Sequence, residues 1–412
     1  MSLTKTIAAP MLCIALAASA QPVQTVKIAT LDMLSGPMAG LGQNVLKSFQ
    51  YAARVANEEK WAGPYQFEIV PFDNKLSPQE AVALLGTVVA KDIRYVVQGA
   101  SSSSVGIALG EAIDKHNARN PGKEIVFLNY ASQAPVLTNE KCSYWHFRTD
   151  AHSDMKVDAL TTYLAGRKDI RKIHLLNPNY AYGQDTARAS RESLARKRAD
   201  IEIVGDDLHP TAQVKDFAPY MVKIRQSGAD AVITASSGSD LALIVRAAND
   251  FGLKVDFYTF NGSNYGVPGT IGATGEGRVK LVSTFNPNDP GAKSSAVLGN
   301  FKKQFGEDFI NGMGYNAVVA LSGAIRSAKS AEPAKVAAQL EGLRFEGING
   351  PVVLRKSDHQ AQQAMFVQSW EKVDGAAVRY DQEGTGFGWK QIASVDAKAA
   401  EQPTTCRMKR PL

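Results

Sequence analysis

Cysteine and histidine are scarce in this 412-residue chain, three of one and six of the other. His116, His146, His152, His174, His209 and His359 form neither an H-E-x-x-H pair nor a Cys/His metal pattern. No catalytic metal is expected. Phosphate-cradling loops are missing as well. Gly36, Gly40 and Gly42 are spaced G-x-x-x-G-x-G, which is not the dinucleotide fingerprint, and no Walker-type loop occurs. No cofactor is expected on these grounds. The serine-hydrolase elbow G-x-S-x-G is also absent. Its nearest approach, Gly99-Ala100-Ser101-Ser102-Ser103, lacks the second glycine, and a hydrolase using Ser101 or Ser102 needs a histidine and an acid that no spacing supplies. The expectation is therefore not an enzyme.

Charge of one sign is lacking too. Forty-six basic residues are intermingled with forty acidic ones for a net +6, without the Lys/Arg stripe of a nucleic-acid binder. Even Arg196-Lys197-Arg198 reads as a solvated helix end. Long apolar runs are missing: after the N-terminus, none approaches the roughly 18 to 20 residues of a membrane-spanning helix.

What is present begins with a leader. Lys5 supplies a positive charge, Met11 to Ala18 form a short apolar run, and Ala18-Ser19-Ala20 offers a small-x-small cleavage site. Residues 1–20 are read as a signal peptide, with export to the periplasm. Cys13 does not fit a lipidation signal, because Met11 and Leu12 precede it where small residues belong. Leader removal leaves Cys142 and Cys406, an even pair in an oxidising compartment. The expectation is one disulfide, the alternative two unpaired thiols.

The length and the 44% hydrophobic content suit two cores. Short β-branched runs at Val26–Leu31, Phe67–Phe72, Tyr95–Gln98 and Ile125–Asn129 alternate with amphipathic stretches. One of these places Ala81, Leu84, Leu85 and Val88 on a single helix face. Repeated β-α-β units imply a parallel sheet. After a polar break near residues 148–153 the pattern restarts at Ile173–Leu176, Ile201–Val204, Ala231–Thr234 and Phe257–Thr259. The fold class is α/β, with two doubly wound parallel-sheet lobes. The expected division is lobe 1 at 21–148, lobe 2 at 149–278, a return to lobe 1 at 279–357, and a return to lobe 2 with the C-terminal tail at 358–412.

Polar, uncharged clusters follow five of these strands: Ser101 to Ser104, Tyr130 to Gln133, Tyr180 to Gly183, Ser236 to Ser239 and Asn261 to Asn264. All lie at the carboxyl edge of their sheets, where open α/β folds bind ligands. The serine run opens a helix, so its N–H groups and the helix dipole suit an anion such as a carboxylate. The same serines suit helix capping equally well.

In order along residues 25 to 400, several segments resemble the type I periplasmic binding proteins of branched-chain amino-acid (leucine/isoleucine/valine) importers. They are Leu34-Ser35-Gly36-Pro37, Gly99 to Ser103, Ala134-Pro135-Val136-Leu137-Thr138, Asn179-Tyr180-Ala181-Tyr182-Gly183-Gln184, Asp216-Phe217, Ser227-Gly228-Ala229-Asp230 and Gly350-Pro351. The resemblance implies lobes joined by a three-segment hinge, capture of a branched-chain or related hydrophobic amino acid or small carboxylate, and delivery to the membrane permease of an ABC importer by a monomer. It implies that Ser102, beside Ser101, holds the ligand carboxylate with Ala131, Ser132 and Gln133, and that Tyr182 closes over it. Ser237 stands where the family often has an aromatic residue. Asn261 stands near a common acidic partner of the ligand ammonium, so a ligand without an α-amino group fits this chain better. Met313 and Tyr315 are read as core packing. A sensor of the same fold, reporting to a membrane receptor, is the alternative function.

Overall fold

The computed structural model describes residues 23–289 and 292–411; the expected leader, with Cys13, lies outside them. The first lobe runs β1 (Gln24–Asp32), α1 (Ala39–Glu58), β2 (Tyr65–Asp73), α2 (Pro78–Ala90), β3 (Tyr95–Gln98), α3 (Ser103–Arg119), β4 (Val126–Asn129) and β5 (His146–Arg148). All five strands are parallel, in the order β2-β1-β3-β4-β5. Every residue of β3 and of β4 is buried, as a parallel strand covered on both faces must be. Ala81, Leu85 and Val88 turn the buried face of α2 onto the sheet, and the Ser77 side chain caps its first turn by accepting the Glu80 N–H at 3.2 Å.

The second lobe repeats the winding through α4 (Ser153–Leu164), β6 (Lys172–Pro178), α5 (Ala181–Lys197), β7 (Glu202–His209), α6 (Ala218–Ser227), β8 (Ala231–Thr234), α7 (Gly238–Asp250), β9 (Asp256–Thr259), α8 (Pro268–Ile271) and β10 (Val279–Ser283). The chain then continues as α9 (Ala292–Phe305), α10 (Gly312–Ala328) and α11 (Pro333–Leu340). A small antiparallel sheet follows, built of β11 (Arg344–Gly347), β12 (Gly350–Leu354) and β13 (Ala361–Gln362), and then β14 (Met365–Lys372) and β15 (Phe387–Val395). Phe301, Val318 and Leu321 from the returning helices, with Phe309 between them, join Phe49, Tyr51 and Ala52 of α1 in one core, so these helices belong to the first lobe.

The seven-stranded sheet has the order β15-β14-β10-β9-β8-β6-β7. Val279–Ser283, expected to open the return to lobe 1, instead pairs parallel to β9 and antiparallel to β14. The second crossover therefore follows Ser283. The third lies between Gln362 and Met365, later than the expected boundary at 358, because β13 still pairs with β12. The tail after β15 returns to the first lobe. Thr404 donates to the Thr138 carbonyl, Thr405 N–H donates to Asn139, and Cys406 forms a disulfide with Cys142.

Arg198 is not solvated, contrary to the reading of 196–198 as an exposed helix end. It is buried, donates to the carbonyls of Leu164, Arg167 and Ile170 at 2.6 to 2.9 Å, and pairs with Asp200. Carbonyls left over where α4 ends are thereby satisfied.

Candidate ligand-binding cleft

Strand order locates the site before any side chain does. In β2-β1-β3 and in β7-β6-β8 the winding reverses beside β1 and β6, and the loops leaving β1, β3, β6 and β8 must diverge there, opening a crevice. The two crevices face each other. Between them lies a cavity of about 70 Å³. Lobe 1 contributes Met33, Gly99 to Ser101, Tyr130, Ala131 and Gln133, and lobe 2 contributes Lys156, Tyr180, Tyr182, Ser237 and Asn261 among others. The lips of the cleft touch: a Cβ on Gly40 in α1 would lie 3.2 Å from the Tyr265 ring.

Asp32 braces the lobe 1 side. Its Oδ1 accepts the N–H groups of Gly99 and Ala100 at 2.9 and 2.7 Å, which holds the loop after β3 against the end of β1. Gly99 is required here, since a Cβ would come within 2.7 Å of Tyr130 and Val45. Full burial raises the Asp32 carboxyl to about 7, against the lowering effect of those two N–H groups. The folded state thus binds this proton more tightly than the unfolded chain. The stability it contributes is complete below about pH 4 and is lost as pH rises through 7. Asp32→Asn keeps the accepting oxygen and cannot ionise. Thermal scans are expected to show it more stable than the parent at pH 8, on the order of 2 kcal/mol with the full shift as upper bound, and equal to it near pH 4. An equal difference at both pH values would disprove the account.

The structure brings six of the eight expected site residues to the cavity: Ser101, Ala131, Gln133, Tyr182, Ser237 and Asn261. Ser102 and Ser132 are not on its wall. Ser102 caps α3, its Oγ accepting the Val105 N–H at 3.3 Å. The Ser132 hydroxyl sits 2.6 Å from Gln98 Oε1 and 3.0 Å from the Ser102 carbonyl. It packs so close to α3 that a Cβ on Gly106 would lie 2.0 Å from it. Ser102 thus caps its own helix. Ser101 faces the cavity instead. Its Oγ accepts from the Asn74 amide at 3.0 Å, which leaves the O–H free to donate.

On the opposite wall, burial raises the Tyr182 phenol well above its usual value, with Tyr180 and Asp150 adding to the effect. It remains a neutral donor, and its buried oxygen has no partner in good hydrogen-bond geometry. Asn261 donates its amide to the carbonyls of Ala235 and Ser236, which turns its oxygen away from them. Gln133 Oε1 is buried and unpartnered. Leu41, Ile310 and Met313 supply the apolar wall. Met313, read from the sequence as core, is thus a cavity residue, while Tyr315 packs in the core.

Lys156 escaped the sequence reading. It stands in the first turns of α4 between buried Met155 and Val157, and its side chain is 2% exposed. The ammonium pairs with Asp150 Oδ2 at 2.7 Å. Asp150 in turn ties the crossovers together. Its Oδ1 accepts the Thr284 hydroxyl at 2.6 Å, and its carbonyl accepts the Gln360 amide at 2.6 Å.

Two doubly wound lobes, three crossovers and a polar cleft at facing switch points define the type I fold of periplasmic binding proteins. The family model described as Periplasmic binding protein matches residues 25–376, and the chain belongs to that family. The Leu/Ile/Val-binding protein homolog 4 of Brucella abortus is 30% identical over 407 residues, covering 96% of this chain and 94% of that one. The leucine-, isoleucine-, valine-, threonine- and alanine-binding protein of Brucella ovis, solved in a closed conformation, superposes with TM-score 0.83 at 29% identity. It covers 94% of this chain and 100% of its own. A solute-binding protein from R. palustris in complex with 4-hydroxybenzoate shares the fold, with TM-score 0.77 at 20% identity, covering 91% of this chain and 98% of that one. The family comprises the solute-binding proteins of ABC importers, which capture small molecules and are not enzymes. Among the described residues no helix is long and apolar enough to cross a membrane.

Proposed function

We propose that the mature protein, released from its leader after Ala20, works in the periplasm as a monomer. It captures a hydrophobic amino acid or a related small carboxylate between its lobes and delivers it to an ABC permease. The observation that carries this reading is the joint lining of one cavity by strand-end donors from both switch points. Ser101, on the loop that leads into α3, meets the carboxylate, since an anion near a helix N-terminus gains from the helix dipole. Ala131 and Gln133 flank it. Tyr182, Asn261 and Ser237 approach from the other lobe, so the ligand links the lobes only when the hinge is shut. Nucleic acid has no place in this reading, and no observation favours a sensor over an importer subunit.

The test is a thermal-shift and calorimetric screen of amino acids, 2-oxo acids and aromatic acids against the mature chain, because a ligand bound only by the folded state raises its stability. Ser101→Ala is expected to weaken carboxylate binding roughly 10- to 100-fold, the loss of one hydrogen bond to a charge. The parallel variant Ser102→Ala is expected to lower stability with less effect on affinity, through the lost cap. The reverse ranking would return the carboxylate to Ser102.

A further inference from the structure

Among the described residues, Lys156 is the one charged side chain on the wall of the cavity. An ammonium carries three donors. Asp150 Oδ2 takes one, and no other acceptor among the described residues lies within hydrogen-bond reach. Asp150 offers a ligand nothing in return: it is fully buried and off the wall. Its Oδ1 accepts from Thr284, and its Oδ2 accepts from Lys156 and, at 3.4 Å, from the Gln133 amide. Asp32, the carboxyl behind Gly99 and Ala100, is likewise off the wall. The charged group that stands on the wall itself is therefore the Lys156 ammonium, with its partner Asp150 behind it.

An amino acid brings two charges on one carbon. Its carboxylate suits Ser101 and the start of α3, but its ammonium needs an acceptor nearby. The uncharged side-chain oxygens the wall offers it include Gln133 Oε1 from lobe 1 and Asn261 Oδ1 from lobe 2. The amide nitrogen of Gln133 shares the Asp150 Oδ2 atom with Lys156, so a second-carbon substituent that reaches this corner of the wall meets the lysine ammonium, with no carboxylate on the wall between them. Like charges in a water-poor site repel strongly. An oxygen in that position accepts from Lys156 instead. We infer that the cleft selects a carboxylate flanked by an oxygen acceptor, a 2-oxo or 2-hydroxy acid, over the amino acid of the same skeleton. Lys156 sets that preference by donating to the 2-oxygen.

The inference rests on the capture reading above, and its test separates the two. Leucine, 4-methyl-2-oxopentanoate and 4-methylpentanoate differ only at the second carbon. Calorimetry of the mature chain is expected to show the oxo acid binding at least 10-fold tighter than leucine and tighter than the plain acid. Lys156→Gln leaves Asp150 buried without its cation, so the double variant Asp150→Asn/Lys156→Gln, which holds neither charge, is measured beside it. In the double variant the oxo acid is expected to lose at least 10-fold and its advantage over leucine to vanish. Leucine binding as tightly as the oxo acid overturns the inference and leaves capture standing. So does an advantage that survives in the double variant. Silence from all three compounds and from the wider screen removes both.

Discussion

Replacing Cys406 with serine is expected to lower the thermal midpoint by about 5 to 10 °C, and reduction of the parent by a thiol is expected to reproduce the drop. The disulfide joins residues 264 apart. On the chain-entropy account, closing so long a loop stabilises by about 5 kcal/mol before any native strain is subtracted. In a chain of this size each kcal/mol moves the midpoint by about 2 °C or less. The route of the tail strengthens the expectation. It leaves β15 in the second lobe and is fixed on the first, so it ties lobe to lobe beside the three crossovers. Without the sulfur link the tail keeps Thr404 on Thr138, Thr405 on Asn139 and Arg410 on Glu341. The arginine contact is an exposed ion pair worth roughly 0 to 1 kcal/mol. Calorimetric scans with and without reductant, with free thiols counted by mass, check the result. An unchanged midpoint in fully reduced protein sinks it.

Much of the fold was legible because parallel sheets write themselves as short, largely apolar runs. Tyr95–Gln98 and Ala231–Thr234 begin and end where the sequence places them. Val279–Ser283 was equally clear as a strand, yet its lobe was not. Periodicity reports that a strand is buried, whereas the choice of β9 as neighbour depends on residues far away in the chain. β5, with three residues, is too short to show a period, and β11, with Arg344 and Glu346 exposed, shows no apolar run.

The site divides in the same way. Clusters after strands were found because chain direction alone puts them at the carboxyl edge. Which serine of the run faces the cavity is a matter of one dihedral step. Ser101 turns to the cavity while Ser102 turns back onto its own helix, and both are serine. Lys156 reads as an ordinary polar residue within a helix. One signal was available: positions 155 and 157 are apolar on either side of it, and Asp150 precedes it by six residues at the polar break between the lobes. Together they mark a lysine that enters the interior with its counter-charge nearby.

That pair carries the second large effect. Asp150→Asn is expected to cost about 3 to 5 kcal/mol in urea unfolding, the penalty for stranding a buried charge when its partner is removed. The Asp150 side chain is fully buried and that of Lys156 nearly so, which keeps water from compensating. Asparagine retains an oxygen for the Thr284 hydroxyl, so the cost isolates the charge and not the hydrogen bond at the second crossover. Lys156→Gln alone is expected to cost a similar amount from the opposite sign. The double variant is expected to recover most of the loss, because a neutral amide pair needs no counter-charge; the coupling between the two positions is the measured quantity. Additive losses would show that each residue acts separately. Strong coupling would show that the cation on the cleft wall and the carboxylate binding the first crossover to the second form one unit. A ligand oxygen on Lys156 then bears directly on the group that holds the hinge.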